Sequence, residues 1–284
     1  LPAPQSAAFN DNPTASFDAF LAETLRTLHD EKLVFMLDEF ETLQEKINNG
    51  PLNLDVLHYL RSQMQHREGL NFLLVGTPNI RNVTEPSWSV FFNIALQHSL
   101  NKLKPDEADA LITEPVKKSL VYDMLALERM HQLSGDLPYF IHVLSEILIN
   151  YSNLHHRSYI TVNDINNVLD TVLEEQSSSI QWIWDQPKSS LERFLLALLA
   201  QNQSTEDQIF TLSDIYREFD TQGLPYEQDK VTAAFKNLVR ADIVEEQQNG
   251  MHYRIPIGLF REWLRKSKSP QRVIREEFTG RDFL

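Results

Sequence analysis

The sequence predicts an α/β protein in three parts: a partial parallel sheet, a run of helices, and a small winged helix-turn-helix. Two short apolar stretches, Leu33–Leu37 and Leu70–Val75, flank a segment of helical periodicity, and each turns polar abruptly, into Asp38-Glu39 and Gly76-Thr77. A strand, helix and strand in that order close most simply as a right-handed parallel crossover. Both polar ends then share the rim of the sheet where open parallel sheets gather ligands. Helical spacing alone fills residues 105–177, and after residue 189 three helices precede two short strands joined through Asn249-Gly250, a strong hairpin signal.

In chain order, residues 1–15 read as an extended leading segment, with Ser16 as N-cap of a helix over 17–30 whose apolar positions are Phe17, Phe20, Leu21, Leu25 and Leu28. Strand 33–37 follows, then the Asn48-Asn49-Gly50-Pro51 turn, a helix over 53–67, and the strand ending at Gly76-Thr77. Pro105-Asp106-Glu107 opens a helix with early acids beside its N-terminal dipole. Further helices are expected at 119–133, 138–152 and 161–175, the last with Thr161 and Asp164 spaced as a capping box. The final third reads as helices 189–201, 211–219 and 227–240 followed by the hairpin. The expected domains are 1–104, a partial α/β core; 105–185, a helical domain; 186–270, the winged helix; and 271–284, a basic tail or linker.

A chain of 284 residues can bury one large core or about two to three smaller ones. The formal charge of −14 argues against a protein that coats nucleic acid through its overall field. Most of the acidic excess lies in residues 1–188, with 13 basic and 25 acidic groups against 13 and 15 in 189–284, so a local basic surface in the last third remains open. The absence of cysteine excludes disulfides, thiol nucleophiles and thiolate metal sites and fits a cytoplasmic protein. No apolar run is long enough to span a bilayer, and the start, Leu1-Pro-Ala-Pro, has no secretion-signal pattern.

The chemistry centres on Lys32–Glu41, KLVFMLDEFE. A carboxylate at the end of a buried strand can hold Mg²⁺ directly or through water, and a second beside it can orient a water for attack on a phosphoryl group. The plain alternative is a core strand ending in a solvated acidic turn. A hydroxyl such as Thr77 at the neighbouring strand end could hold a water or phosphate oxygen in line. Of the nine histidines, the adjacent His155-His156 pair is poorly spaced for a helical metal face, and no zinc site is expected. Arg61 and Arg81 could serve as phosphate sensors but read more simply as solvated or paired surface residues.

Over residues 16–266 the pattern resembles the ATPase core of the AAA+/STAND superfamily of P-loop NTPases, in particular bacterial and archaeal signal-transduction ATPases whose helical lid is followed by a winged helix. Leu33–Glu41 looks like the Walker B strand, Phe72–Thr77 like the sensor 1 strand, Trp88–Asn93 with Leu103–Val116 like the junction from core to lid, and Leu133–Phe140 like the Gly-x-Pro-Tyr stretch of the lid, with two residues here between glycine and proline. The resemblance implies ATP/ADP and Mg²⁺ as cofactors, Asp38 as the metal-coordinating acid, Glu39 as catalytic glutamate, Thr77 near the terminal phosphate, and Gly135, Pro138 and Tyr139 at the nucleotide edge. The alternative for Tyr139 is an aromatic packed into the core at an ordinary helix-helix turn. The chain departs from the family in one respect: no G-x-x-x-x-G-K-[ST] occurs among its eight glycines. It is therefore expected to be a fragment without its P-loop, inactive by itself, of an ATP-dependent regulatory switch that self-associates and exposes an effector. A noncatalytic scaffold is a further alternative.

On the 227–240 helix, Lys230, Lys236 and Arg240 are candidate nucleic-acid contacts, opposed by Glu227, Asp229 and Asp242. The resemblance favours an intramolecular clamp over DNA reading for this domain. An origin-recognition-like or transposition-associated DNA-binding ATPase is the alternative.

Overall fold

The computed structural model describes residues 3, 9, 12–76, 93–203, 210–247 and 252–278. They fall into two compact units, Leu1–Ser99 and Leu100–Leu284.

In the first unit, helix α1 (Pro13–Leu28) starts earlier than the sequence suggests. Asn12, not Ser16, caps it: the Asn12 side chain accepts the Ala15 N–H at 3.0 Å, and Pro13 takes the first helical position, where its missing N–H costs nothing. Strand β1 (Leu33–Leu37), helices α2 (Thr42–Asn48) and α3 (Asp55–His66), and strand β2 (Leu70–Leu74) follow. The expected parallel crossover is present, in the register Leu33 opposite Leu70 through Leu37 opposite Leu74. Helix α2 was not anticipated, because its seven residues are too few to display a helical period.

Strand alternation sorts the sheet into two faces. On one, the rings of Phe35 and Phe72 lie 5.8 Å apart and Phe17 from α1 lies 5.8 Å from Phe35. Asp18 ties the same helix to α3 by accepting hydrogen bonds from the Tyr59 hydroxyl at 2.9 Å, Gln63 Nε2 at 3.2 Å and Arg67 at 2.7 Å. Burial, then the Asp18 hydrogen bond and charge, push the Tyr59 phenol well above its ordinary range. The other face presents Val34, Met36, Leu73 and Val75 exposed, Met36 at 72%. Parallel sheets are ordinarily covered on both sides, so this open apolar face is unusual.

The second unit has one continuous core. Its first part holds α4 (Pro105–Thr113), β3 (Val121–Tyr122), α5 (Met124–Ser134), α6 (Pro138–Leu154), β4 (Tyr159–Ile160), α7 (Val162–Glu175) and α8 (Ser177–Asp185). The helix expected from 119 begins only at 124. Val121–Tyr122 instead pairs in parallel with Tyr159–Ile160, and Asp123 caps α5 by accepting the Ala126 N–H at 2.6 Å. The Thr161 capping box forms as its spacing suggests, the Thr161 N–H reaching Asp164 Oδ2 at 2.9 Å.

The remainder comprises α9 (Ser190–Asn202), β5 (Phe210–Thr211), α10 (Leu212–Gln222), α11 (Gln228–Arg240), β6 (Glu245–Gln247), β7 (His252–Arg254), α12 (Gly258–Ser267) and α13 (Pro270–Glu277). The three strands form an antiparallel sheet in the order β5-β7-β6. The Asn249-Gly250 turn lies outside the described residues. Within 271–284, the expected tail or linker, residues 271–277 belong to helix α13, and Glu277 pairs with Arg193 of α9 at 2.7 Å.

The two parts of this unit meet backbone to backbone. Gly135 closes α5 in the left-handed conformation, φ +59°, and a Cβ there would stand 2.9 Å from the carbonyl oxygen of Pro256. A Cβ on Gly258 would stand 2.3 Å from the carbonyl oxygen of Gln132. Lys102 Nζ also reaches Glu245 Oε1 at 2.7 Å, and Glu245 in turn accepts from Arg254 at 2.6 Å. Burial raises the Glu245 pKa, but these two cations outweigh it and hold the carboxyl below its usual range.

Candidate functional site

The carboxylates stand at the C-terminal end of β1, as the sequence implies, but a regular strand end would not hold them this way. In a parallel ladder the carbonyl of Val75, whose N–H already donates to Leu37 at 2.9 Å, would next accept the N–H of Glu39. It accepts that of Phe40, at 3.0 Å. One residue is thus bulged out. Glu39 sits at φ +50°, and its displaced N–H donates to Asp38 Oδ1 at 2.9 Å. The Glu39 carbonyl accepts both the backbone N–H of Thr42 at 2.9 Å and its hydroxyl at 2.8 Å.

Asp38 and Glu39 are both exposed, whereas Phe40 is 2% exposed and packs with Leu57 in a small cluster that includes Leu37, Leu54 and Leu74. Asp38 keeps one oxygen outside the turn. That donor suits Mg²⁺, which commonly takes one or two carboxylates and draws its other ligands from water and phosphate. Phosphate binding has no counterpart in these residues: the sequence holds no P-loop lysine or glycine run.

Gly76 is exposed at the same end of β2. Thr77 and Arg81 lie outside the described residues, and Arg61 is half-buried on α3. Among the described residues no group of three or more His, Cys, Asp or Glu could hold a metal ion, and the His155 ring lies tilted against Tyr151 with centroids 4.4 Å apart.

Gly135, Pro138 and Tyr139 belong to the other unit, so they form a second candidate cluster. Gly135 is fully engaged in the seam with Pro256. Pro138 starts α6, and Tyr139, 51% exposed, donates to or shares hydrogen bonds with Gln176 Oε1 at 2.8 Å and Ser179 Oγ at 2.7 Å. The core-packed alternative for Tyr139 is not what the structure shows; Phe140 beside it is the buried ring.

The same turn holds a feature that periodicity could not reveal. His131 Nδ1 lies 2.5 Å from Asp136 and Nε2 lies 3.0 Å from Asp109, so an imidazolium would join α4, α5 and the turn. Burial opposes its charge, but the hydrogen bonds to Asp136 and Asp109 prevail and raise the pKa above the usual imidazole value. The backbone carbonyl of Asp136 accepts the N–H of Leu103 at 2.9 Å. Because the folded pKa is raised, this stabilisation is complete below the unfolded value near ~6.5 and is lost as pH rises through the folded one. Unfolding titrations should therefore show His131→Ala less stable than wild type by about 2 kcal/mol at pH 5.5, with the gap narrowing at pH 9. A pH-independent gap would remove the imidazolium from this role.

On α11, Val231, Ala234, Phe235 and Leu238 are buried and Lys230, Lys236 and Arg240 are exposed. Lys230 pairs with Glu227 at 2.9 Å.

No protein-family model matches the sequence, and no curated protein does. Solved structures do match. The Aeropyrum pernix ORC2 protein, determined in ADPNP–ADP complexes, matches 90% of this chain and 71% of its own at 15% identity, with a TM-score of 0.60. A Walker-type ATPase of Pyrococcus abyssi matches 90% of this chain and 69% of its own at 14% identity, with a TM-score of 0.59. The chain therefore shares the mixed α/β fold of these two structures. No described helix is long and apolar enough to cross a membrane.

Proposed function

We propose that this chain is the carboxylate-bearing part of an AAA+-type regulatory ATPase that acts on DNA in the manner of origin-recognition proteins. The observation that carries the nucleotide half is the pair of exposed carboxylates on a bulged parallel strand end, within a fold shared across 90% of the chain with the two structures above. Asp38 would hold Mg²⁺, which neutralises phosphate charge when bound, and Glu39 would orient and deprotonate the attacking water, with Thr77 as a further polar contact. In the second unit, the Gly135, Pro138 and Tyr139 turn is a separate candidate for contact with nucleotide. The phosphates would be bound by a segment not among these residues. A layer over Val34, Met36, Leu73 and Val75 would complete the sheet at the same time.

The DNA half rests on the second unit. Helices α9, α10 and α11 with the three-stranded sheet fit a winged helix, and α11 turns Lys230, Lys236 and Arg240 outward as a recognition helix would. Duplex DNA should bind with a strong salt dependence, and neutralising Lys230, Lys236 and Arg240 together should weaken it about 50-fold at physiological salt. Unchanged binding would exclude α11 as the reading helix. The second reading, a switch in which nucleotide state controls domain arrangement and self-association, is favoured by the close packing of the C-terminal part on the helical part. Salt-insensitive self-association without DNA binding would select it.

A further inference from the structure

We propose that Phe40 is a positioning residue for the carboxylate pair, acting through the bulge it closes. This deepens the ATPase reading and rests on it.

Side chains of a regular strand alternate between faces. Leu33, Phe35 and Leu37 point toward the covered face, so an unbroken β1 would send Asp38 out, turn Glu39 inward against Leu57 and Leu74, and expose Phe40. Burying Glu39 among those aliphatic groups would strip an ion of its water. The structure avoids that outcome by inserting one residue. Phe40 takes the ladder bond to Val75 and the inward slot, and Asp38 and Glu39 both remain in solvent on one rim.

Two devices hold the insertion. The left-handed turn at Glu39, costly for a residue with a Cβ, is braced by Asp38 Oδ1 on one side and by Thr42, through two hydrogen bonds, on the other. The Phe40 ring, buried beside Leu57, is the only one of three consecutive side chains, 38 to 40, that enters the core. Its burial makes the bulged register more stable than the regular one. Phe40 touches no reacting atom and acts by fixing where two neighbours point.

The first test reads the backbone and needs no nucleotide. In the 284-residue chain, Glu39→Gly should raise the melting temperature of the first unit or leave it unchanged, because glycine tolerates φ > 0, and Glu39→Val should lower it. A regular strand would give the opposite order, and that result would overturn the proposal. The second test reads turnover in the natural full-length protein. Phe40→Ala should lower kcat for ATP by about 100-fold with KM within about twofold, since a misplacement on the order of 1 Å is enough. Phe40→Leu, which keeps an apolar anchor if the alanine variant fails to fold, should recover at least about tenfold of that loss. A folded Phe40→Ala protein with wild-type kcat, while Glu39→Gln is inactive, overturns the positioning role alone. A wild-type protein without turnover, or a fully active Glu39→Gln variant, overturns the ATPase reading and Phe40's role together.

Discussion

Gly258→Ala should lower the melting temperature of the second unit by roughly 6–12 °C, measured by calorimetry or circular dichroism. Gly258 is the first residue of α12 and its φ is not left-handed, so helix propensity alone would make alanine better by about 1 kcal/mol. Packing decides the other way. The added Cβ would lie 2.3 Å from the Gln132 carbonyl oxygen and 3.0 Å from Leu133 Cα, and both are backbone atoms of α5 that cannot rotate aside. Forcing the helices apart costs about 3 kcal/mol or more, and for a unit of this size each 1 kcal/mol shifts the melting temperature by about 2–4 °C. Gly135→Ala should fall in the same direction, through its left-handed φ and its 2.9 Å approach to Pro256. A Gly258→Ala protein as stable as wild type would show that the two helices do not pack this closely in solution.

Glu39→Gln should abolish ATP turnover in the natural full-length protein, by about 10²–10⁴-fold, while nucleotide affinity stays within about threefold. The amide keeps the size and hydrogen-bonding reach of the carboxylate but cannot accept a proton from water. Asp38→Asn should behave differently: it removes charge from the proposed Mg²⁺ ligand and from the cap on the Glu39 N–H, so it should raise the Mg²⁺ concentration needed for half-maximal activity and lower the stability of the first unit. Equal effects of the two substitutions on Mg²⁺ dependence would contradict the division of roles. Residual turnover in Glu39→Gln close to wild type would remove Glu39 from water activation.

The parallel crossover, the two carboxylates at its end and most of the helices are legible because each rests on periodicity or on a terminal residue with a physical preference. Leu33–Leu37 and Leu70–Leu74 are short apolar runs with polar stops, and Thr161 with Asp164 forms the box its spacing announces. What was not legible depends on partners distant in sequence. Val121–Tyr122 lies within an apolar stretch that suits a helix until Tyr159–Ile160 arrives to pair with it. Asn12 competes with Ser16 as a cap, and only the position of Pro13 favours the earlier start. The bulge has no signature in residue type, since Glu is a poor marker for φ > 0. His131 is separated by 22 positions from Asp109, and nothing between them signals the bridge.

The glycine seam carries a consequence for how such a protein can be divided. A reading by domains places a cut near residue 186, and a polar, loosely packed boundary there would let each piece be expressed, swapped or fused elsewhere. Gly135 and Gly258 instead press main chain on main chain with no side chain between them to be replaced by water. Each piece alone would expose a ridge shaped only for the other. A graft of residues 190–278 onto a foreign partner should therefore misfold or aggregate unless residues 130–136 travel with it. In this protein the heritable module is the pair.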